Sequence, residues 1–373
     1  MTIHRFAFPT TIHFGPGARK LVGASLKAAG CNRPLIVTDR GLSDLPILRN
    51  FVAELKDLQT GVFSGLAGNP VASQVMACAA AYRAHGADAV IGFGGGAALD
   101  VAKAVALMAT HPGEVLEYAW DHPQVRPIEN PLPYFAALPT TAGTGSEVGR
   151  SSVVSEDDTH VKRIIFSPAI LAKAVFADPE LTLALPPAIT AATGMDALTH
   201  NIESYLSPAY HPLCDGIALE GVRIVARALP VVCKNGKDLQ ARSDMLMGSM
   251  MGAIAFQKDL GAVHSCAHAL STVNDLHHGL ANGVMIDHVM TFNREAAPEK
   301  FRELERVIGT ADLVSYLATL KKAIGIPARL SELKVKFEHI PRLVEVAEKD
   351  ICHQTNPRPC TRADFERLFA AAL

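Results

Sequence analysis

The sequence predicts two domains of different class: an α/β domain over residues 1–185 and an all-helical domain over residues 186–373. Three observations predict this. Before residue 185, short apolar runs alternate with helical stretches, the pattern of a largely parallel, layered sheet. After Pro186-Pro187 the apolar residues fall at helical spacing with few β-branched runs. A length of 373 residues, at roughly 150 residues per domain, supplies about two hydrophobic cores. The proline pair suits a boundary, because the first biases its predecessor away from helix and the second fits a helix's first turn.

In the first half, Pro34–Asp39 (PLIVTD) reads as a buried strand ending in a turn, and Leu45–Leu58 follows with helical spacing. Asp88–Phe93 is a second strand, running into Gly94-Gly95-Gly96 and then an Ala-rich helix from Ala98 to Ala109. Tyr134–Leu138 and Ala174–Ala177 are further strands. In the second half, Ala188–Leu206, Tyr210–Leu229, Leu239–Gln257, Leu260–Asn274 and Asn282–Ala296 all read as helices.

Composition narrows the function. Lys+Arg number 35 against 37 Asp+Glu, with 49% hydrophobic and 19% charged residues. A chain so balanced is neither disordered nor supercharged, and it carries no electrostatic footprint for nucleic acid or an anionic membrane. The longest uncharged stretch, Leu58–Tyr82, is broken by Gly68-Asn69-Pro70 and makes no membrane span. The N-terminus lacks the layout of an export signal. Seven cysteines without a CxxC spacing read as reduced thiols of a cytoplasmic protein. A small molecule is the expected partner.

Three constellations carry chemistry. Gly94-Gly95-Gly96-Ala97-Ala98-Leu99-Asp100 stands between a strand and a helix. Its glycines admit a ligand close to the backbone, and the free N–H groups of a helix start face an anion such as a pyrophosphate. The spacing is not GxGxxG, so the ordinary dinucleotide fingerprint is absent. Pro139–Glu147 (PTTAGTGSE) follows a strand end, and Thr140, Thr141 and Thr144 with its glycines can wrap a polar ligand. Asp39 ends the first strand, where a carboxylate can hold the ribose hydroxyls of NAD and repel the extra phosphate of NADP. Arg40 beside it could instead accept that phosphate.

The third constellation lies in the helical half. Asp196 and His200 are four apart and share a helix face, His264 and His268 repeat the spacing, and His277-His278 follows. One oxygen with several imidazoles suits Fe²⁺ or Zn²⁺ and fits Mg²⁺ or Ca²⁺ poorly.

These segments resemble the iron-dependent (group III) alcohol dehydrogenases. The matching pieces are GGGAALDVAK (Gly94–Lys103), PTTAGTGSEV (Pro139–Val148), GMDALTHNIESYLS (Gly194–Ser207), HSCAHALSTVNDLHH (His264–His278) and TNPRP (Thr355–Pro359), in the family's order across nearly the whole chain. The resemblance implies the dehydroquinate synthase-like, iron-dependent alcohol dehydrogenase fold. It pairs an α/β nucleotide-binding domain with an all-helical metal-binding domain that holds the metal in the cleft. It implies Asp196, His200, His264 and His278 as metal ligands, and His268 as a polar group near the substrate and a candidate for proton exchange. Gly94, Gly95, Gly96, Asp100, Thr140, Thr141, Thr144 and Lys162 would serve the cofactor, with Asp39 at the ribose. Gly149, Ser151, Val153, Leu260 and Cys360 line the substrate pocket by family position.

The activity implied is NAD-linked oxidation of a small alcohol or reduction of an aldehyde. Fe²⁺ is the expected metal with Zn²⁺ as the alternative, and NAD the expected cofactor with NADP as the alternative. Two other readings compete: a related-fold metal- and NAD-dependent lyase, and a non-catalytic filament former. Few basic residues flank the metal segments to hold a phosphorylated acid, which speaks against the lyase. The intact ligand set speaks against the filament. The resemblance also implies a homodimer or higher homo-oligomer, in which the extended Phe6–Phe14 segment can pair across copies. Four positions depart from the family's pattern: Ala97 stands where Ser is usual, Gly149 where Thr is frequent, and Ile286-Asp287 where Leu-Pro is familiar.

Overall fold

The computed structural model describes residue 8 and residues 10–373, which divide into two compact units. One comprises the described residues up to Thr141 together with Ser146–Thr182. The other comprises Leu183–Leu373 together with Ala142–Gly145. Phe6, Ala7 and Pro9, part of the segment expected to pair between copies, lie outside the described residues.

In the first unit six parallel strands form one sheet: β1 (Thr11–Phe14), β2 (Pro34–Asp39), β3 (Gly61–Leu66), β4 (Ala89–Gly94), β5 (Tyr134–Pro139) and β8 (Ala174–Ala177), in the order β1-β8-β5-β4-β2-β3. Helices α1 (Val22–Ala28), α2 (Arg40–Ser43), α3 (Pro46–Glu54), α4 (Ala72–His85) and α5 (Gly96–Met108) connect the strands. The central strands β2, β4, β5 and β8 are buried along nearly their whole length and read as continuous apolar runs, as parallel strands covered on both faces do. Their core includes Ile36, Phe51, Ile91, Phe93, Leu138 and Phe176, with Phe51 stacked on Phe93 at 5.0 Å.

Two strands outside the main sheet, β6 (Ser151–Ser155) and β7 (Lys162–Phe166), form an antiparallel hairpin. Sequence reading omitted them along with β3. The edge strand β3 is mostly half-buried and carries two glycines, so its apolar signal is weak.

The second unit is helical: α6 (Pro187–Leu206), α7 (Pro212–Lys234), α8 (Leu239–Ala255), α9 (Ala262–Asn274), α10 (His278–Asn293), α11 (Pro298–Ile308), α12 (Leu313–Ile324), α13 (Ile340–Lys349) and α14 (Arg362–Ala372). Pro186 caps α6 and Pro187 is its first residue. Helix α7 runs on through Pro230 to Lys234, beyond the Leu229 expected from sequence. A proline there offers no N–H to the carbonyl of Ala226, four residues back. The hydroxyl of Tyr316 on α12 donates to that carbonyl at 3.2 Å, so the interruption is repaired from a neighbouring helix. No helix among the described residues is long and apolar enough to cross a membrane.

Candidate active site

Within the α/β unit, β4 ends at Gly94 and α5 begins at Gly96, with Gly95 as an N-cap that has no side-chain cap. The first N–H groups of α5 therefore point out of the turn with no carbonyl from their own helix, the arrangement that receives an anion. Glycine is required at Gly94, where a Cβ would stand 2.6 Å from that of Ala98. That same Cβ position lies 3.5 Å from Asp39 Oδ2, so β2 delivers the Asp39 carboxylate to the glycine turn. The other Asp39 oxygen accepts from the N–H of Leu42 at the start of α2. A Cβ on Gly95 would meet Thr141 at 3.2 Å, and the N–H of Thr140 donates to Gly94 O. Asp39, the glycine turn, Thr140 and Thr141 are thus brought together. Lys162 opens β7 opposite Ser155 on the hairpin.

Asp100 faces inward from α5. Its Oδ1 accepts from Ser146 Oγ at 2.6 Å and Lys103 Nζ at 3.4 Å, and its Oδ2 from the N–H of Val153 at 3.1 Å. Lys103, fully buried, also donates to Ser146 Oγ and Ser151 O, both at 2.7 Å. This network ties α5 to the segment after β5. Gly149, Ser151 and Val153 lie in this unit, on or just before the hairpin.

Glu147 is 1% exposed and its Oε1 has no hydrogen-bond partner. Burial pushes its carboxyl up to about 7, against the opposing influence of its own backbone N–H and of Lys103. A carboxyl raised in the fold contributes stability that is complete below the unfolded value near 4.5 and is lost as pH rises to about 7. The sum is about 3 kcal/mol at ~1.36 kcal/mol per unit. Equilibrium urea unfolding of the native protein and Glu147→Gln between pH 4.5 and 8 should therefore show the native protein losing that much relative to the variant up to pH 7. Parallel profiles would mean that the carboxyl is ionised throughout.

Thr144 lies on the Ala142–Gly145 segment, which belongs to the helical unit. There Gly145 has φ +60°, and a Cβ would stand 2.3 Å from that of Ala253 and 2.8 Å from Ser249 O. Only glycine lets the loop pass so close to α8. Leu260 and Cys360 lie in the helical unit too.

The helical unit gathers the imidazoles. Asp196 and His200 stand one turn apart on α6, His264 and His268 on α9, and His278 is the first residue of α10. Around Asp196 Oδ1 stand His278 Nε2 at 3.5 Å, His264 Nε2 at 3.8 Å and His200 Nδ1 at 3.9 Å. Asp196, His200 and His264 are buried, and their donor atoms lie within 4.8 Å of one another. Burial pushes His200 down to about 4, so its ring is neutral near pH 7, and its buried Nδ1 has no hydrogen-bond partner. One carboxylate, three imidazoles and an orphaned ring nitrogen fit a divalent cation of the Fe²⁺ or Zn²⁺ type. His277, in contrast, is exposed and accepts the N–H of Leu280 as the cap of α10.

Sequence reasoning missed three residues that hold these groups. Asn282, one turn beyond His278, donates from Nδ2 to Asp196 Oδ1 at 2.7 Å and lies 3.4 and 3.3 Å from Nε2 of His264 and His278. Glu203 on α6 takes the Nδ1 of His264 at 2.6 Å. Asp350 takes the Nδ1 of His268 at 2.7 Å, while Ser265 Oγ donates to its other oxygen. Burial pushes the Asp350 carboxyl up, but the charge and hydrogen bond of His268, with the donors of Ser265 and Cys352, outweigh it and hold the carboxyl well below the usual range. The His268 ring stacks on His278 at 5.2 Å. The signal for Glu203 and Asn282 was present as polar residues at helical spacing from the ligand candidates; Asp350 offered none.

One unit carries a glycine turn at a helix start, the arrangement that receives an anion, and the other a buried Asp/His cluster with the donor set of a divalent cation; these are the parts of a metal- and nucleotide-dependent oxidoreductase. Residues 9–179 match the iron-containing alcohol dehydrogenase model, and residues 190–373 match the model for the C-terminal domain of that family. The 4-hydroxybutyrate dehydrogenase of Cupriavidus necator is 36% identical over 376 residues, covering 98% of each chain. The 1,3-propanediol dehydrogenase of Klebsiella pneumoniae is 35% identical, covering 99% of this chain and 98% of that one. Among solved structures, a 1,3-propanediol oxidoreductase superposes with a TM-score of 0.94 at 34% identity, and the alcohol dehydrogenase from Oenococcus oeni with 0.95 at 31%, each over 100% of both chains. The chain belongs to the iron-containing alcohol dehydrogenase family and is an enzyme of that kind, a metal-dependent, NAD-linked alcohol dehydrogenase.

Proposed function

We propose that Asp196, His200, His264 and His278 hold Fe²⁺, and that the turn Gly94–Gly96 with Thr140, Thr141, Thr144 and Lys162 receives NAD, Asp39 taking the ribose hydroxyls. The observation that carries the metal reading is the convergence of three imidazole nitrogens within 3.9 Å of one buried Asp196 oxygen. The donor set also accepts Zn²⁺, and Fe²⁺ is favoured by the family. NAD is favoured over NADP because the Asp39 carboxylate beside Gly94 would repel a 2′-phosphate. Asp100 supports the same turn by tying α5 to Ser146 and Val153.

When bound, the cation supplies Lewis acidity and the nicotinamide exchanges hydride with the carbinol carbon. The chain's own residues do the rest. Neutral imidazoles leave the site a net positive charge, which favours an oxygen that gains negative charge. His268, oriented by Asp350, exchanges the alcohol proton with solvent. The substrate is a short primary alcohol or its aldehyde, in keeping with relatives named for 4-hydroxybutyrate, 1,3-propanediol and methanol. Seven free cysteines accord with the cytoplasm, and β1 at the edge of the sheet offers a strand to a second copy in a homodimer or larger homo-oligomer.

The test is to purify the protein without oxygen, strip it with chelator, restore Fe²⁺ or Zn²⁺, and follow NADH with a panel of short aldehydes. NADH oxidation should vanish on stripping and return with Fe²⁺. Full activity in the stripped protein would sink the metal assignment, and flat NADH with metal bound would sink the substrate class.

A further inference from the structure

Helix α9 starts at Ala262, after Gly261, and carries His264 in its first turn. Gly261 has no side chain to cap it, yet four N–H groups at this start converge on one carboxylate from another helix. Glu203 Oε1 accepts from the N–H of Val263 at 2.7 Å. Oε2 accepts from the N–H groups of Gly261 and His264 at 3.1 and 3.3 Å, and from His264 Nδ1 at 2.6 Å. Both side chains are 1% exposed.

A helix start needs only acceptors for its backbone N–H groups. The bond to the ring is additional, and it has a consequence for the opposite edge of the imidazole. A ring nitrogen held against an ionised carboxylate carries the proton, which leaves Nε2 with its lone pair. Nε2 is the atom that faces Asp196 Oδ1 at 3.8 Å. We infer that Glu203 is a positioning residue for the metal centre: it fixes His264 in the Nδ1–H form, aims Nε2 at the cation and strengthens it as a ligand. This rests on the four-ligand reading above. Asp196, His200 and Glu203 share α6, so the register of one helix places two ligands and the group that orients a third.

The role is separable from capping. Glutamine has one acceptor oxygen, while both Glu203 oxygens face N–H donors. Either orientation of its amide sets an NH₂ against one of them. With the NH₂ toward the ring, the proton of His264 moves to Nε2 and blocks the ligand atom. Asn356 supplies a control, since its Oδ1 accepts the N–H of Ala262 at 3.2 Å at the same helix start without touching the ring.

The experiment uses the stripped full-length protein and Co²⁺ as the probe. Affinity is read by competition with a chromophoric chelator, coordination by visible absorption, and apo stability by thermal melting. Glu203→Gln should bind Co²⁺ about 10–100-fold more weakly, with an altered visible spectrum. Asn356→Ala should melt earlier and bind normally, and His264→Ala should bind no Co²⁺ at this site. A Glu203→Gln protein that loses less than tenfold in affinity overturns the proposal, as does an equal loss in Asn356→Ala. Should Glu203→Gln fail to fold, Glu203→Asp, one methylene too short to reach both ring and backbone, is held to the same tenfold threshold. Native affinity in His264→Ala overturns the ligand reading itself; a metal-free His264→Ala beside an unaffected Glu203→Gln overturns only the role of Glu203.

Discussion

Asp350→Asn should lower kcat by about 10²–10⁴-fold, the range for losing a positioned proton-transfer group, while the protein still takes up its full complement of metal. Asp350 Oδ2 accepts from His268 Nδ1 at 2.7 Å. Its Oδ1 accepts from Ser265 Oγ at 2.7 Å and from the N–H of Cys352 at 2.9 Å. Ser265 in turn accepts the N–H of His353, so the carboxylate is clamped by the loop after α13. Asparagine can keep the Ser265 and Cys352 bonds through its oxygen. Its NH₂ then faces Nδ1 of His268, and the ring must place its proton on Nε2, reversing donor and acceptor at the far edge. On the proton-exchange role proposed for His268, the loss should fall on kcat rather than KM. A variant with native kcat would reduce Asp350 to a residue that fastens the loop.

The parts of the fold that sequence could reach are those marked by local composition or spacing. The apolar runs that became β2, β4, β5 and β8 are buried on both faces, and such strands announce themselves by composition alone. Helices α6 and α8 through α10 stand within a few residues of their expected spans. The glycine turn and the Asp/His spacing were legible because a single helix or a single turn sets them. What stayed hidden depends on distant partners. Glu203 meets His264 across 61 residues, Asp350 meets His268 across 82, and Asn282 meets Asp196 across 86. Sequence spacing names a polar residue on a helix but not the group it will face. Pro230 misled for the same reason, since the hydroxyl that satisfies Ala226 comes from Tyr316, 90 residues on. His277 and His278 are equivalent as letters; only the start of α10 sends one to solvent as a cap and the other toward Asp196.

Asp287→Ala should cost about 3–5 kcal/mol of stability, the penalty for breaking a buried ion pair from one side. Asp287 lies in the interior of α10. Lys321 on α12 is 2% exposed, and its Nζ donates to Asp287 Oδ1 at 2.6 Å and to Val284 O at 2.8 Å. Without that carboxylate the ammonium of Lys321 would be left inside the helical unit with one carbonyl. The carboxylate at 287 and the buried lysine therefore act as a pair, and α10 is fastened to α12 here by charge. Removing the lysine along with the aspartate removes the uncompensated charge. Asp287→Ala/Lys321→Met should accordingly recover most of the loss, since a packed apolar pair often matches a buried ionic one. Equilibrium urea unfolding of the metal-free proteins measures both. If the single variant loses under 1 kcal/mol, water reaches Lys321 and the pair is not what joins the helices. If the double variant is no more stable than the single one, the loss comes from the cavity at 287 rather than from the stranded ammonium.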